Sequence, residues 1–351
     1  SIVNHNLDSD IKIGFHSHNN MQLSFANAQE FIEEGMRRKG GVIVDSSIFG
    51  MGRGAGNLTT ELITQYINKT YGFKYDIVPL LKVADRYLNE IYMKTPWGYA
   101  TPYFLSAINN CHPNYANFLM TKKTLSMDSI AKILNLIPQG SRELYDKKLI
   151  TRMYLDFQSS EADDSRVLPE LKKLFVDRLI TVVASGRSVK NYADEIKARI
   201  FAGNSLVVHI NSLKDGIPAD FIFISNSRRA ESMKIRDNKP VIIATSNIKE
   251  TLKADYTVNY SSLLGNNSEL DNAGLMFLNL LMNLGIKKVQ LAGFDGFTYD
   301  PEDYLEFVTE SYMRRDLEHR NQEIKDEMIR ISQKMEISFI TPSLYEFRGK
   351  K

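Results

Sequence analysis

The chain has 351 residues, and its 44 basic and 42 acidic side chains leave a net charge of +2. This balance excludes the strongly basic surface of a nucleic-acid-binding protein, and no apolar stretch is long enough to span a membrane. Cys111 is the only cysteine, so no internal disulfide can form. We therefore expect a cytoplasmic protein with neither nucleic acid nor a membrane as partner.

The first 75 residues alternate between strand and helix patterns. The segment IKIGFHSH (11–18) has the two-residue period of a strand, and 21–36 has the pattern of a helix. A second strand is predicted at 41–50 and a second helix at 58–68. This alternation is typical of a parallel α/β unit, but so few elements cannot cover both faces of a sheet. We expect either self-association through this region or completion by strands that this sequence lacks.

A helical segment and a second α/β segment follow. Residues 76–160 are predicted to be helical, the polar stretch 158–166 is a predicted linker, and a long helix is predicted at 302–335. Seven strands rich in Val, Ile, Leu and Phe are predicted at 179–185, 205–211, 220–225, 240–246, 256–261, 287–294 and 337–342. Such strands are typical of a buried, mostly parallel sheet. The predicted fold class is therefore α/β, with domains 1–75, 76–160 and 161–351.

Two histidines close the first predicted strand. His16 and His18 project to the same side because they are two residues apart, and converging imidazoles bind many divalent cations. They also follow the carboxyl end of the strand, where parallel α/β folds carry their functional residues. Two polar residues at a strand end give the same pattern without binding a metal, and the pattern leaves both interpretations open.

The second predicted strand ends in a loop with four glycines around Arg53. Glycines allow a backbone to approach a ligand closely, and the free amides of the following helix favour an anion. Asn57, the last residue of the loop, has two interpretations. It caps the following helix, or its side-chain oxygen binds a metal.

Together, GFHSHNN (14–20) and VDSSIFGMGRGAGN (44–57) resemble the C-terminal part of the metal-dependent TIM-barrel aldolases and lyases, over about 50 residues. These include 4-hydroxy-2-oxovalerate aldolase and the hydroxymethylglutaryl-CoA lyase superfamily. The resemblance implies a partial (β/α) TIM barrel with a helical extension. It also implies that His16 and His18 bind Mn²⁺ or Mg²⁺, that Asn57 completes the shell, and that the ion polarises the keto oxygen of a 2-oxo acid.

The resemblance continues in GYATPYFLSAINNCHPNY (98–115), and it implies that Tyr99 overhangs the barrel mouth as a proton donor. Aromatic packing is the alternative for Tyr99. Arg53 is expected to face the substrate carboxylate. The family's first strand ends in an arginine–aspartate motif that supplies a carboxylate to the metal, and this sequence has no matching motif. We therefore expect an incomplete carbon–carbon lyase, with a non-catalytic association module as the alternative.

A turn in the third segment suggests a phosphate site. Ser185 to Ser188 join a predicted strand to a helix, and such a turn can hold a phosphate on its amides, although most bind nothing. With GFDG (293–296), the region resembles the Rossmann-like sialyltransferase-type and pterin diphosphokinase-like bacterial proteins. This resemblance implies a nucleotide or nucleotide-sugar phosphate near Gly186, Arg187 and Ser188, with Asp295 nearby. A transferase acting through this domain is the second functional alternative.

Overall fold

The computed structural model of the chain describes residues 6–122, 124–159, 161–233, 240–266, 270–298 and 313–347. The chain forms two compact units. The first contains the described residues up to Met120 together with Leu134–Tyr145, and the second contains Thr121–Ile133 and the described residues from Asp146 onward. The domain limits predicted from the sequence, at residues 75 and 160, differ from the positions at which the chain passes from one unit to the other. They stay predictions.

The first unit begins with a two-stranded parallel sheet. Strand β1 (Ile13–Phe15) pairs with β2 (Val42–Val44), with Ile13 opposite Val42 and Phe15 opposite Val44. Helix α1 (Ser24–Gly35) connects the two strands, and α2 (Thr60–Tyr71) follows β2. The predicted order of strand, helix, strand, helix is therefore confirmed. Its small core is built from Ala28, Ile32, Leu58 and Ile63.

Short helices make up the rest of the first unit. They are α3 (Val78–Val83), α4 (Asn89–Lys94), α5 (Thr101–Ile108), α6 (Pro113–Thr121) and α7 (Met127–Leu136), of which α6 and α7 cross into the second unit. Arg142 fastens the loops between them. Its guanidinium donates to the backbone carbonyls of Ile137, Asn109 and Asn135 at 2.9, 2.8 and 3.0 Å. The predicted helical character of 76–160 agrees with these elements.

The second unit is an α/β structure around a seven-stranded sheet in which every pairing is parallel. Its strands are β3 (Ile180–Val183), β4 (Leu206–Ile210), β5 (Phe221–Ile224), β6 (Val241–Thr245), β7 (Tyr256–Val258), β8 (Lys288–Ala292) and β9 (Glu336–Phe339). All seven overlap the predicted strands, so the prediction of a buried parallel sheet is confirmed.

Helices of the second unit are α8 (Lys147–Gln158), α9 (Val167–Phe175), α10 (Ser188–Asn191), α11 (Ala193–Gly203), α12 (Ser227–Ser232), α13 (Ala273–Asn283) and α14 (Met313–Ser332). The best buried is α13, because it carries apolar residues on nearly every side. Phe277 of α13 is fully buried, and its ring centroid lies 5.2 Å from that of Phe223. The predicted long helix at 302–335 is present from Met313 to Ser332, and 302–312 lie outside the described residues.

A buried polar chain fastens α8 within the second unit. The Tyr154 hydroxyl donates to the buried carboxylate of Asp271 and contacts the Thr124 hydroxyl at 2.8 Å. Burial and the charge of Asp271 raise the pKa of Tyr154 well above its usual value. One turn later, Gln158 accepts from the Asn247 amide at 3.1 Å. These bonds give buried polar groups partners that water would otherwise supply.

The strand order is β7-β6-β5-β4-β3-β8-β9, so the chain runs outward from β3 to β7 and then returns to the other side of β3. The carboxyl ends of β3 and β8 therefore flank the point at which the direction of winding reverses. Open parallel sheets bind ligands at such points. None of the described helices combines the length and the apolar character that crossing a membrane requires.

His209 is a core residue of the central strand β4. Its side chain is fully buried, its Nδ1 accepts from the Lys214 amide at 3.1 Å, and its Nε2 lies 3.1 Å from the Pro218 carbonyl oxygen. These partners require a neutral ring with the hydrogen on Nε2. Burial, which disfavours the charged ring, lowers the pKa of His209 to about 4. His209 is therefore a packing residue of the strand core.

The low pKa of His209 predicts an acid-sensitive second unit. The unfolded chain takes up a proton on this ring near pH 6.5, whereas the folded chain takes it up near pH 4. Stability is therefore complete above the unfolded pKa and falls as the pH drops from about 6.5 to about 4, by up to about 3 kcal/mol. Urea unfolding followed by circular dichroism across this range measures the loss.

The matched variant is His209→Asn, which keeps an acceptor for the Lys214 amide but cannot titrate. We expect it to be less stable than wild type at pH 7 and to lose less stability on acidification. Equal slopes for the two proteins between pH 6.5 and 4 would contradict the prediction.

Candidate functional site

Directly after β1, two histidines of the first unit lie close together. The ring centroids of His16 and His18 are 5.0 Å apart, with the ring planes nearly perpendicular. The Nδ1 atom of His16 is 3.4 Å from Oδ2 of Asp45, which follows β2, and both side chains are more than half exposed. This contact is an ion pair only when the imidazole is protonated, and its exposure makes it weak. The His16 imidazole and the Asp45 carboxylate are therefore accessible to a ligand from solvent.

The glycine loop returns to the same place by backbone pairing. The Ser47 amide donates to the Leu58 carbonyl at 2.9 Å, and the Asn19 amide donates to the Gly56 carbonyl at 2.9 Å. His18 and Asn57 form an isolated antiparallel bridge. These bonds place the end of the loop beside the second histidine, although 39 positions separate His18 from Asn57 in the sequence.

Glycine is required where the loop folds back on itself. Gly56 has φ +78°, and a Cβ atom there would lie 2.5 Å from the Gly50 carbonyl oxygen. At Gly52, a Cβ atom would lie 2.7 Å from the side-chain nitrogen of Asn57. The absence of side chains at these two positions therefore allows the backbone to close around Asn57.

The side chain of Asn57 has a hydrogen-bonded donor and an unpaired acceptor. Its side-chain nitrogen donates to the Met51 carbonyl at 3.3 Å, which turns Oδ1 away from that carbonyl. The Oδ1 atom is buried and has no hydrogen-bond partner. Helix α2 has Thr59 as its N-cap residue and no side-chain cap, so Asn57 does not cap it. An unpaired buried acceptor costs roughly 1–3 kcal/mol, and a cation would remove that cost.

The donors at this place suit part of a divalent-metal shell. Two neutral imidazole nitrogens and the Asn57 oxygen are ligand types that Mn²⁺ accepts, but a hard cation also prefers a carboxylate. Within the described ranges, no three side chains of His, Cys, Asp or Glu converge as a metal site. The residues present thus fit such an ion incompletely, as the sequence predicted from its missing carboxylate.

Arg53 lies on the glycine loop, and its guanidinium donates to the Asn114 side-chain oxygen at 2.7 Å. Asn114 also donates its amide to Nδ1 of His112 at 3.1 Å. Partial burial, followed by the nearby charge of Arg53, lowers the pKa of His112. The structure therefore gives Arg53 two neighbours, His112 and Asn114, that the sequence patterns did not connect with it.

Tyr99 lies next to the loop through its neighbour Gly98, whose amide donates to the Gly54 carbonyl at 3.0 Å. Its side chain is 59% exposed, and its ring centroid lies 6.4 Å from that of Phe104. The phenol is thus accessible and is not a core packing residue. Its role as a proton donor stays a prediction.

Two residues for which the sequence indicated no role hold the loop. The Phe49 amide donates to both carboxylate oxygens of Glu61 at 3.1 Å, and the Trp97 indole donates to the Phe49 carbonyl at 2.9 Å. Phe49 itself has a positive φ of 59°, which few non-glycine residues adopt. Sequence reasoning missed Glu61 and Trp97, because their partners are backbone atoms and leave no pattern of residue types.

The predicted phosphate turn of the second unit lies at the carboxyl end of β3. The Gly186 amide donates to the Gly293 carbonyl at 2.9 Å, which joins the turn to the end of β8. The Ser188 amide donates to Oδ2 of Asp295 at 2.8 Å, and the Ser188 hydroxyl donates to Oδ1. Gly186, Ser188 and Asp295 are thus brought together, and Arg187 lies between the first two in the chain. The Asp295 carboxylate occupies the Ser188 donors that were predicted to bind phosphate. Phosphate binding at this turn stays a prediction.

The comparisons with known proteins concern the beginning of the chain. Residues 1–85 match the HMGL-like family model. The chain is 41% identical over 76 residues to 4-hydroxy-2-oxovalerate aldolase of Bacillus thuringiensis (strain Al Hakam), a match that covers 22% of this chain and 20% of that protein. The enzyme of the same name from Desulfitobacterium hafniense (strain DSM 10664 / DCB-2) is 32% identical over 83 residues, covering 23% of each chain. The chain therefore spans about a fifth of the length of the curated relatives it matches.

One solved structure is also similar to part of this chain. It is the N-terminal domain of a protein from Bacteroides vulgatus described as a candidate aldolase, and it is 34% identical. The match covers 35% of this chain and 38% of that one, with a TM-score of 0.31. The HMGL-like relation therefore rests on the sequence matches and extends over the first 85 residues.

The close approach inside the glycine loop predicts that Gly56→Ala destabilises the first unit more than Gly72→Ala does. Both positions have a positive φ, at +78° and +73°, but a Cβ atom at Gly72 meets nothing within 4 Å. Strain alone costs an alanine about 1–2 kcal/mol, and the contact at Gly56 adds to it. Unfolding followed by the fluorescence of Trp97, which bonds the loop, measures both variants. Equal losses of stability would show that the loop does not close as described.

Proposed function

We propose that the HMGL-like region is part of a divalent-metal-dependent carbon–carbon lyase acting on a 2-oxo acid, as the terminal strands and helices of a TIM barrel. The observation that carries the proposal is the orphaned Asn57 oxygen, which is buried beside the backbone partner His18. The similarity to proteins named 4-hydroxy-2-oxovalerate aldolase supports this chemistry.

In this proposal His16, His18 and Asn57 hold Mn²⁺ or Mg²⁺. The ion, when bound, supplies a Lewis acid for the keto group of the substrate. The backbone bridge between His18 and Asn57 fixes the spacing of two ligands, and the bond from Asn57 to the Met51 carbonyl fixes which side-chain atom faces the ion. The glycine loop therefore orients the proposed ligands.

Two further residues serve the substrate. The Arg53 guanidinium lies on the same loop and binds the carboxylate of the 2-oxo acid, since a planar guanidinium matches a carboxylate with two hydrogen bonds. Asn114, its present partner, holds it in place. The exposed Tyr99 phenol donates a proton or hydrogen bond to the substrate oxygen.

The proposal requires a carboxylate ligand, and although Asp45 lies beside His16, the described residues bring no three side chains of His, Cys, Asp or Glu together as a metal site. Cleavage by the chain as given is accordingly not expected. The second unit offers a different function, in which a nucleotide or nucleotide sugar binds near Gly186 and Asp295 in a Rossmann-like domain. The point at which the sheet reverses its winding, between β3 and β8, favours that candidate.

The metal proposal predicts that Mn²⁺ titrated calorimetrically binds the protein and that His18→Ala weakens binding by at least about tenfold, since a direct ligand matters at least as much as its supporting groups. His16→Ala and Asn57→Ala are expected to weaken binding likewise. His319→Ala is the matched control, because His319 is an exposed histidine on α14. The titration uses this chain and, if its gene encodes residues before Ser1, the longer product.

Binding that appears or tightens in a longer product would support a carboxylate from outside this sequence. Absence of binding in every form, or binding that is unaffected by the histidine variants, would contradict the metal proposal. The association module would then be the remaining interpretation of the HMGL-like region.

A further inference from the structure

Three polar side chains of the second unit meet at the carboxyl ends of β3 and β4, and the charge of Arg229, on the helix after β5, acts on one of them. We call these four residues the Lys214 cluster: Ser185, Ser212, Lys214 and Arg229. The hydroxyl oxygens of Ser185 and Ser212 are 3.1 Å apart, and the Lys214 ammonium donates to the Ser212 oxygen at 2.9 Å. The cluster thus joins the ends of two neighbouring strands at the functional edge of a parallel sheet.

The loop that carries Lys214 is anchored to the core of the second unit. The Lys214 amide donates to the buried ring of His209 at 3.1 Å, and the same ring contacts the Pro218 carbonyl. Asn211, where the loop begins, has a positive φ of 59°, and its side-chain oxygen accepts from the Ser225 amide at 3.2 Å. The Lys214 backbone is therefore fixed by the core.

Arg229 belongs to α12, and its amide donates to the Asn226 side-chain oxygen at 3.1 Å, which fixes the start of that helix. Burial, followed by the charge of Arg229, lowers the pKa of Lys214, and the charge of Asp215 opposes this shift. In the described part of the chain, neither Lys214 nor Arg229 forms an ion pair. Two neighbouring cations that form no ion pair favour an anion between them.

The neighbouring turn at Gly186 offers a less open place for an anion. Its Ser188 amide and hydroxyl already donate to the Asp295 carboxylate, so an incoming anion would have to displace a negative charge. The Lys214 cluster has two hydroxyls and two cations, and no carboxylate is bonded to any of them. The balance of charge therefore favours the end of β4 over the turn after β3.

We propose that the Lys214 cluster binds the phosphate or diphosphate group of a small molecule. Lysine acts as a point charge toward phosphate, and arginine bonds two of its oxygens at once. The oxygens of a tetrahedral phosphate point in several directions. The two serine hydroxyls donate hydrogen bonds to the oxygens that the lysine and the arginine leave free. This site belongs to the second unit and differs both from the metal site proposed for the first unit and from the nucleotide site proposed near Gly186, so the metal titration does not test it.

Inorganic pyrophosphate, titrated calorimetrically into the full chain, tests the site. We expect it to bind, and we expect Lys214→Gln and Arg229→Gln each to weaken binding by about tenfold or more, since each removes a charge-assisted hydrogen bond. Lys214→Met, which keeps the length of the stem, is a second variant for the case in which glutamine disturbs the loop. Circular dichroism and urea unfolding confirm that each variant is folded.

Two controls separate this site from its surroundings. Lys190→Gln removes an exposed cation on α10, close to the Gly186 turn, and is expected to leave affinity unchanged. Ser188→Ala removes the hydroxyl that faces Asp295 and is expected to change affinity little. Lack of pyrophosphate binding by wild type would overturn the proposal. Wild-type affinity in the Lys214 and Arg229 variants would overturn it, as would losses confined to Ser188→Ala. Equally tight binding of malonate would show a carboxylate site instead.

Discussion

Parallel strand pairing is the constraint on which the functional geometry of each unit depends. A parallel ladder brings the carboxyl ends of neighbouring strands to one edge, and the residues that follow those strands then meet regardless of their separation in the sequence. In the first unit the pairing of β1 with β2 brings His16 to Asp45. In the second unit the pairing of β3 with β4 and β8 brings Ser185 to Ser212 and Gly186 to Gly293.

The polar groups at these edges differ in how completely they are satisfied. The Asn57 oxygen has no hydrogen-bond partner, and in the described part of the chain the two cations of the Lys214 cluster form no ion pair. By contrast, Asp295 and Ser188 satisfy each other, and Tyr154 satisfies Asp271. Because burying an unpaired polar group costs free energy, the unsatisfied groups are the ones that a ligand would stabilise. This difference, rather than the residue types, separates the two sites proposed here from the structural polar contacts.

Much of the fold was predictable, because it follows from local patterns. Runs of β-branched and aromatic residues predicted all seven strands of the sheet, and the HxH motif with its glycine loop predicted which residues of the first unit would meet. The attachment of α8 was not predictable, since Tyr154 and Asp271 are 117 positions apart and neither belongs to a periodic pattern. Lys214 was likewise missed, because its role depends on the position of Arg229 and of the buried His209 ring.

The sequence by itself determined the α/β class, the parallel sheet and the relation of the first 85 residues to the HMGL-like family. The class and the sheet follow from apolar periodicity, a local property that each segment carries wherever it lies, and the family relation follows from the resemblance of the two motifs. Only the tertiary structure decided that Asn57 leaves its oxygen unpaired instead of capping α2, and that Asp295 occupies the donors of Ser188. Those outcomes depend on which backbone or charged group arrives from a distant part of the chain, and hydrogen bonds to such groups leave no trace in the order of the residues.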